Sequence, residues 1–167
     1  MEYRPNAGAQ VAAVDASKYE EEMTVLALLE GYATALAATH LGTEGIQYLR
    51  EINTSMYNAL KSADIPAFRD INKQFHFYIY DRCQNSYMVE LLRETWDRLE
   101  VRGHTDFSYI PQRSWASTEE HTQLLDMIER HSSRDEIERM VREHKISTYE
   151  AYRNSPRYTT HATILFD

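Results

Sequence analysis

The sequence is poor in the residues that break helices. It has five glycines and four prolines in 167 residues, and long stretches pass with neither. A turn-rich β fold needs more of both, so their scarcity favours helices. Cys83 is the one cysteine, so no disulfide can form within the chain, which fits a reducing compartment. No apolar run approaches the roughly 18 residues of a membrane span. The N-terminus, Met1-Glu2-Tyr3-Arg4-Pro5-Asn6, lacks the basic and apolar regions of a secretory signal. A cytoplasmic protein with no membrane partner is expected. Basic clusters are missing too. With a net charge of −8 the chain repels a phosphate backbone, so no nucleic-acid contact by this chain itself is expected.

Hydrophobic residues make up 43% and charged residues 26%, enough to build one core in one domain of this length. The apolar residues recur at helical spacing. A first helix is expected over about 17–40, opened by Ser17 with Glu20 and burying Val25, Leu28, Leu29, Tyr32, Leu36 and Ala37. A second, over about 44–62, places Ile46, Leu49, Ile52, Met56 and Leu60 on one side. Asp64 is the expected cap of a third, with Pro66 in its tolerant first turn, ending near Cys83. Asn85 and Ser86 open a fourth, carrying Met88, Leu91, Leu92, Trp96 and Leu99. Gly103 to Ser114 breaks the pattern. Ser117-Thr118-Glu119-Glu120 and Ser133-Arg134-Asp135-Glu136 read as capping boxes for a fifth and sixth helix. The expected fold is all-α, an antiparallel bundle of about six helices with a central cavity. Residues 1–16 read as an arm or linker remnant, 17–155 as the domain, and 156–167 as a tail.

The third helix carries an oddity. Asn72 and His76 stand one turn apart, so both project from the face flanked by Phe68, Phe75 and Ile79. Polar groups on an apolar face cost free energy unless they find partners. His121 keeps step with Leu124, Leu125 and Ile128, and His144 with Ile137, Val141, Thr148 and Ala151. Helical bundles build metal sites from such facing side chains, and neutral imidazole is a common ligand of zinc-like ions. Three imidazoles and the Asn72 carbonyl would supply four ligands. Taken singly, a buried histidine is more often a core residue with one hydrogen bond, and periodicity alone does not bring three helices together. His40, His104, His131 and His161 show no such face relationship and read as surface residues.

Several pieces, in this order, resemble the FCD domain, the C-terminal effector-binding domain of GntR-type bacterial transcription regulators. They are Leu28-Leu29-Glu30-Gly31-Tyr32-Ala33, Asn72-x-x-Phe75-His76 with Asn85, Glu120-His121-x-x-Leu124-Leu125, and Val141-Arg142-Glu143-His144. The resemblance spans about Tyr19 to Tyr152. It implies a divalent metal, zinc or nickel, held by Asn72, His76, His121 and His144, with a small organic acid as effector and a homodimer as the assembly. Tyr32, Tyr78 and Arg98 are the candidate effector contacts. The DNA-binding winged helix-turn-helix of such regulators is expected to lie outside this chain.

Two positions depart from the family pattern. Asn72 stands where many relatives carry aspartate, which implies weaker metal binding and a more positive site. Leu26 stands where many carry an arginine that grips an effector carboxylate. Arg98 or Arg102 could replace it, although a solvated helix face is the plainer reading for both. The expected function is therefore ligand sensing, not catalysis. The alternatives are a metal-dependent hydrolase or lyase, for which Glu120 points about 100° away from His121, and a purely structural dimerisation domain.

Overall fold

The computed structural model describes residues 16–101 and 110–155. The arm, the tail, Arg102, His104 and His161 lie outside them. Six α-helices follow one another: α1 Ala16–Ala37, α2 Gly42–Lys61, α3 Ile65–Tyr80, α4 Ser86–Val101, α5 Pro111–Glu129 and α6 Arg134–Arg153. A single 3₁₀ turn, Ala38–His40, extends α1, and no strand occurs among the described residues. The architecture is an all-α bundle.

Side-chain caps mark where three of the six helices, α3, α4 and α6, begin. Asp64 accepts from the Ala67 amide at 3.0 Å and Asn85 Oδ1 accepts from the Met88 amide at 3.1 Å. Ser133 and Glu136 form a reciprocal capping box for α6. The short connections after α2 and α5 fold α3 and α6 back on their predecessors. α1 packs most extensively on α6, and α2 packs on α3 and α5. Asn53 pins α2 to α5 by donating to the Thr118 carbonyl at 2.9 Å and to Thr122 Oγ1 at 3.0 Å.

Two expectations are corrected. The fifth helix does not start at Ser117. It starts six residues earlier at Pro111, which occupies the helix's first turn, where its missing N–H costs nothing. Ser117 and Thr118 are buried in its interior. On α1 the expected face is only half right: Ala37 is buried and Leu29 and Leu36 pack against the core, but Val25, Leu28 and Tyr32 are about half exposed, at 51%, 50% and 49%. The buried side carries Tyr19, Met23, Leu26, Glu30, Ala33 and Ala37. α1 is apolar around most of its circumference, so periodicity could not choose a side, and a buried glutamate disguised the true one.

The faces of the other helices match the pattern. Phe68, Phe75 and Ile79 of α3 are buried, each worth roughly 1.5–3 kcal/mol of burial. They clamp the face that also carries Asn72 and His76. No helix among the described residues is long and apolar enough to cross a membrane.

Candidate metal centre

α3, α5 and α6 bring their histidines together. The ring centroids of His76, His121 and His144 lie 4.9 to 5.5 Å apart. One ligand nitrogen from each falls within 4.8 Å of the others. Zinc at about 2.0 Å from each nitrogen sets tetrahedral ligands about 3.3 Å apart, so small ring rotations would close this triangle on an ion. Packing fixes the rings: Phe75 stacks on His121 with centroids at 4.1 Å. Asn72, one turn before His76, is equally buried.

The polar atoms of this cluster lack partners. Asn72 Oδ1, His76 Nε2 and both ring nitrogens of His121 are buried with no hydrogen bond. Each such atom costs roughly 1–3 kcal/mol if it stays unsatisfied. One divalent ion would satisfy the Asn72 oxygen, His76 Nε2 and one of the two His121 nitrogens together. The protonation states agree. Burial, reinforced by the charge of Lys145, holds the imidazole pKa values of His76 and His121 well below the ordinary range. Both are therefore neutral, as ligands must be.

His144 is oriented from behind. Its Nδ1 lies 2.5 Å from Glu120 Oε2, so Nδ1–H donates to the carboxylate and Nε2 is left bare. Arg113 completes the arrangement. Its Nη1 donates to Glu120 Oε1 at 2.7 Å, and Nη2 spends its two protons on Glu120 Oε2 at 2.5 Å and the His144 carbonyl at 2.8 Å. The 3.0 Å approach of Nη2 to Nδ1 therefore carries no proton. Burial raises the Glu120 carboxyl, but the hydrogen bonds from His144 and Arg113 outweigh it and hold its pKa at about 2. Burial lowers His144, and the bond to Glu120 opposes it. Glu120 points away from His121 and reaches the neighbouring helix, with a quarter of its side chain still exposed. Both its oxygens are engaged, so it is no free base.

The other expected contacts lie elsewhere. Tyr32 is on the exposed side of α1. Tyr78 is partly buried beside α2, its ring 4.6 Å from Tyr48 and covered by the Arg82 guanidinium at 3.4 Å. Arg98 is exposed beside Glu94. None is brought to the histidines. Among the described residues the buried cations are Arg113 and Lys145, neither picked out by the sequence.

A model of the FCD domain family matches residues 21–146 of the chain. The chain belongs to the FCD family. FCD domains are the C-terminal effector-binding domains of GntR-family regulators, and are regulatory, not catalytic. No curated protein and no solved structure gives a significant match. Arg113 was legible in principle. It precedes Glu120 by seven residues, two helical turns, so the two share a face of this FCD domain once Pro111 is read as a helix opener. Lys145, next to a buried histidine, carries no such signal.

Proposed function

We propose that this FCD domain senses a small organic acid at a divalent metal held by Asn72, His76, His121 and His144. The convergence of three neutral, buried imidazoles, two without any hydrogen bond from the free ring nitrogens, carries the reading. Nitrogen ligands and one amide oxygen suit zinc or nickel. The ion supplies a Lewis-acidic position that an acid's carboxylate can complete. The chain's own residues do the rest. Asn72 adds no negative charge, so the loaded site keeps the ion's full charge and attracts an anion. Glu120 and Arg113 hold His144 in the tautomer that presents Nε2.

His144 adjoins Lys145, whose Nζ lies 3.0 Å from Glu30 Oε1 on α1. A shift of α6 on ligand capture therefore acts on α1 directly. The exposed Val25, Leu28 and Tyr32 form a stripe on the other side of α1, which suits a second copy of the chain. An acid that binds two arrangements of such a dimer unequally shifts the balance between them. The domain thereby serves a transcription regulator whose DNA contacts are made by another module.

Chelation tests the reading. Treatment with EDTA lowers the melting temperature of the chain, zinc or nickel restores it, and His121→Ala removes the response. A melting temperature indifferent to chelator and metal contradicts the proposal.

A further inference from the structure

A groove of about 270 Å³ opens on the outside of the bundle, between α2 and α5. α5 lines it with Trp115, Thr118, Glu119 and Thr122, whose spacing of i, i+3, i+4 and i+7 puts them on one face. α2 lines the other side with Asn53, Thr54 and Tyr57. None of these residues belongs to the histidine cluster. The Tyr57 and Trp115 rings meet edge to face, with centroids 5.3 Å apart and planes at 81°, yet the two residues remain 42% and 38% exposed. A helix seam is ordinarily apolar. This one pairs two open aromatic rings with a row of oxygens.

The proton count decides what the groove lacks. Thr54, Thr118 and Thr122 each spend their single hydroxyl proton on a carbonyl of their own helix, at 2.8 to 3.1 Å. Asn53 Nδ2 spends its two on the Thr118 carbonyl and Thr122 Oγ1. Asn53 Oδ1 is buried and accepts from nothing. Glu119 is exposed, and among the described lining residues it alone is charged. Apart from the two aromatic side chains, the groove therefore offers acceptors and no donors. An anion would meet Glu119 with no cation in the lining to offset it. A neutral apolar group would leave the oxygens unmatched. A cation that carries N–H groups answers both, and aromatic faces attract it too. Tyr57 already takes one: Lys61 Nζ lies 4.6 Å from its ring centroid. A guanidinium brings five donors in a flat fork and an apolar stem. We propose that the groove between α2 and α5 binds a small organic cation of the alkylguanidinium class, its N–H groups turned to Glu119 and the oxygens of Asn53 and Thr122, its stem against Tyr57 and Trp115. The site is independent of the metal.

The test is a titration of the full chain with butylguanidinium, tetramethylammonium, butanol and butyrate, followed by NMR at the Trp115 indole N–H and the Thr118 and Thr122 amides. Butylguanidinium has no lone pair for a metal, so a bound ion does not confuse the result. It shifts these signals saturably and binds about tenfold tighter than butanol, the joint effect of an exposed carboxylate and a cation–π contact. Tetramethylammonium, a cation without N–H groups, binds more weakly than butylguanidinium, and butyrate shifts nothing. In Glu119→Gln the affinity for butylguanidinium falls about threefold. In Trp115→Leu, read at the Thr122 amide, it falls by a similar factor. Glu119 is exposed, so Glu119→Gln decides the matter alone if Trp115→Leu fails to fold. No saturable shift overturns the site. Equal binding of butanol and butylguanidinium overturns it too, because the groove then reads only the apolar stem. Undiminished binding in Glu119→Gln, or shifts that avoid the Trp115 indole, contradict the assigned residues and overturn it likewise.

Discussion

Glu120 of α5 stands behind His144 of α6, its Oε2 at 2.5 Å from the imidazole Nδ1. That one contact sets the tautomer of the histidine and aims its other nitrogen at the cluster. Arg113 holds the carboxylate from the far side with two donors, at 2.7 and 2.5 Å. A carboxylate placed so is an outer-shell support. Glu120→Gln keeps the shape but lets the amide turn either way, and should weaken zinc binding about 10- to 100-fold. Competition against a chromophoric chelator measures this. Parent affinity in Glu120→Gln would show that the contact does not matter to the metal.

The buried imidazoles also make the metal-free chain sensitive to acid. His76 and His121 bind no proton in the folded state at a pH where the unfolded chain does, because burial lowers their pKa values. Lys145, Arg113 and the neighbouring histidines add to the effect. The unfolded state therefore takes up more protons below about pH 6.5, and stability falls as pH falls. The slope reaches roughly 1.4 kcal/mol per pH unit for each histidine and vanishes above that pH. Glu120, held at about 2, adds stability above its ordinary pKa that is lost as pH falls through the range below it. Urea melts of the chelated chain from pH 5 to 8 check this. A flat profile below 6.5 would mean the imidazoles are not buried neutral.

Close helix packing supplies another test. A Cβ on Gly31 of α1 would lie 2.8 Å from the Glu138 carbonyl oxygen and 3.1 Å from its Cγ. Gly31→Ala in a free helix would gain about 1 kcal/mol of propensity. Here the clash is with backbone, so α1 and α6 must separate, at a cost of roughly 1–3 kcal/mol. A net loss of stability in denaturant melts is expected. A gain would show that α1 and α6 are not so closely packed.

The exposed stripe on α1 answers to solution size. Leu28 is half exposed between Val25 and Tyr32. Leu28→Glu should leave the monomer folded, since the side chain does not enter its core, and should turn a dimer into monomers by light scattering. An unchanged mass would place any dimer contact elsewhere.

Much of this was legible beforehand. The helix count, five of the six starts to within about two residues, and the faces of α2, α3, α5 and α6 all follow from spacing and caps. His76, His121 and His144 could be named because each keeps the register of a buried apolar stripe. The misses have physical causes. Pro111 interrupts the apolar pattern in the sequence although it opens α5, which hides Arg113. α1 is apolar on both sides, so its exposed stripe passed for the core. Glu30 and Lys145 are buried charges that compensate each other across two helices far apart in sequence, and no local pattern reports such a pair.

The central claim is that three imidazoles and Asn72 hold a metal. Elemental analysis of the untagged chain, purified without chelator and compared with His121→Ala, tests it most directly. About one zinc or nickel per parent chain is expected, with little in His121→Ala. Equal metal content in the two, or none in the parent even after incubation with either ion, would contradict the account.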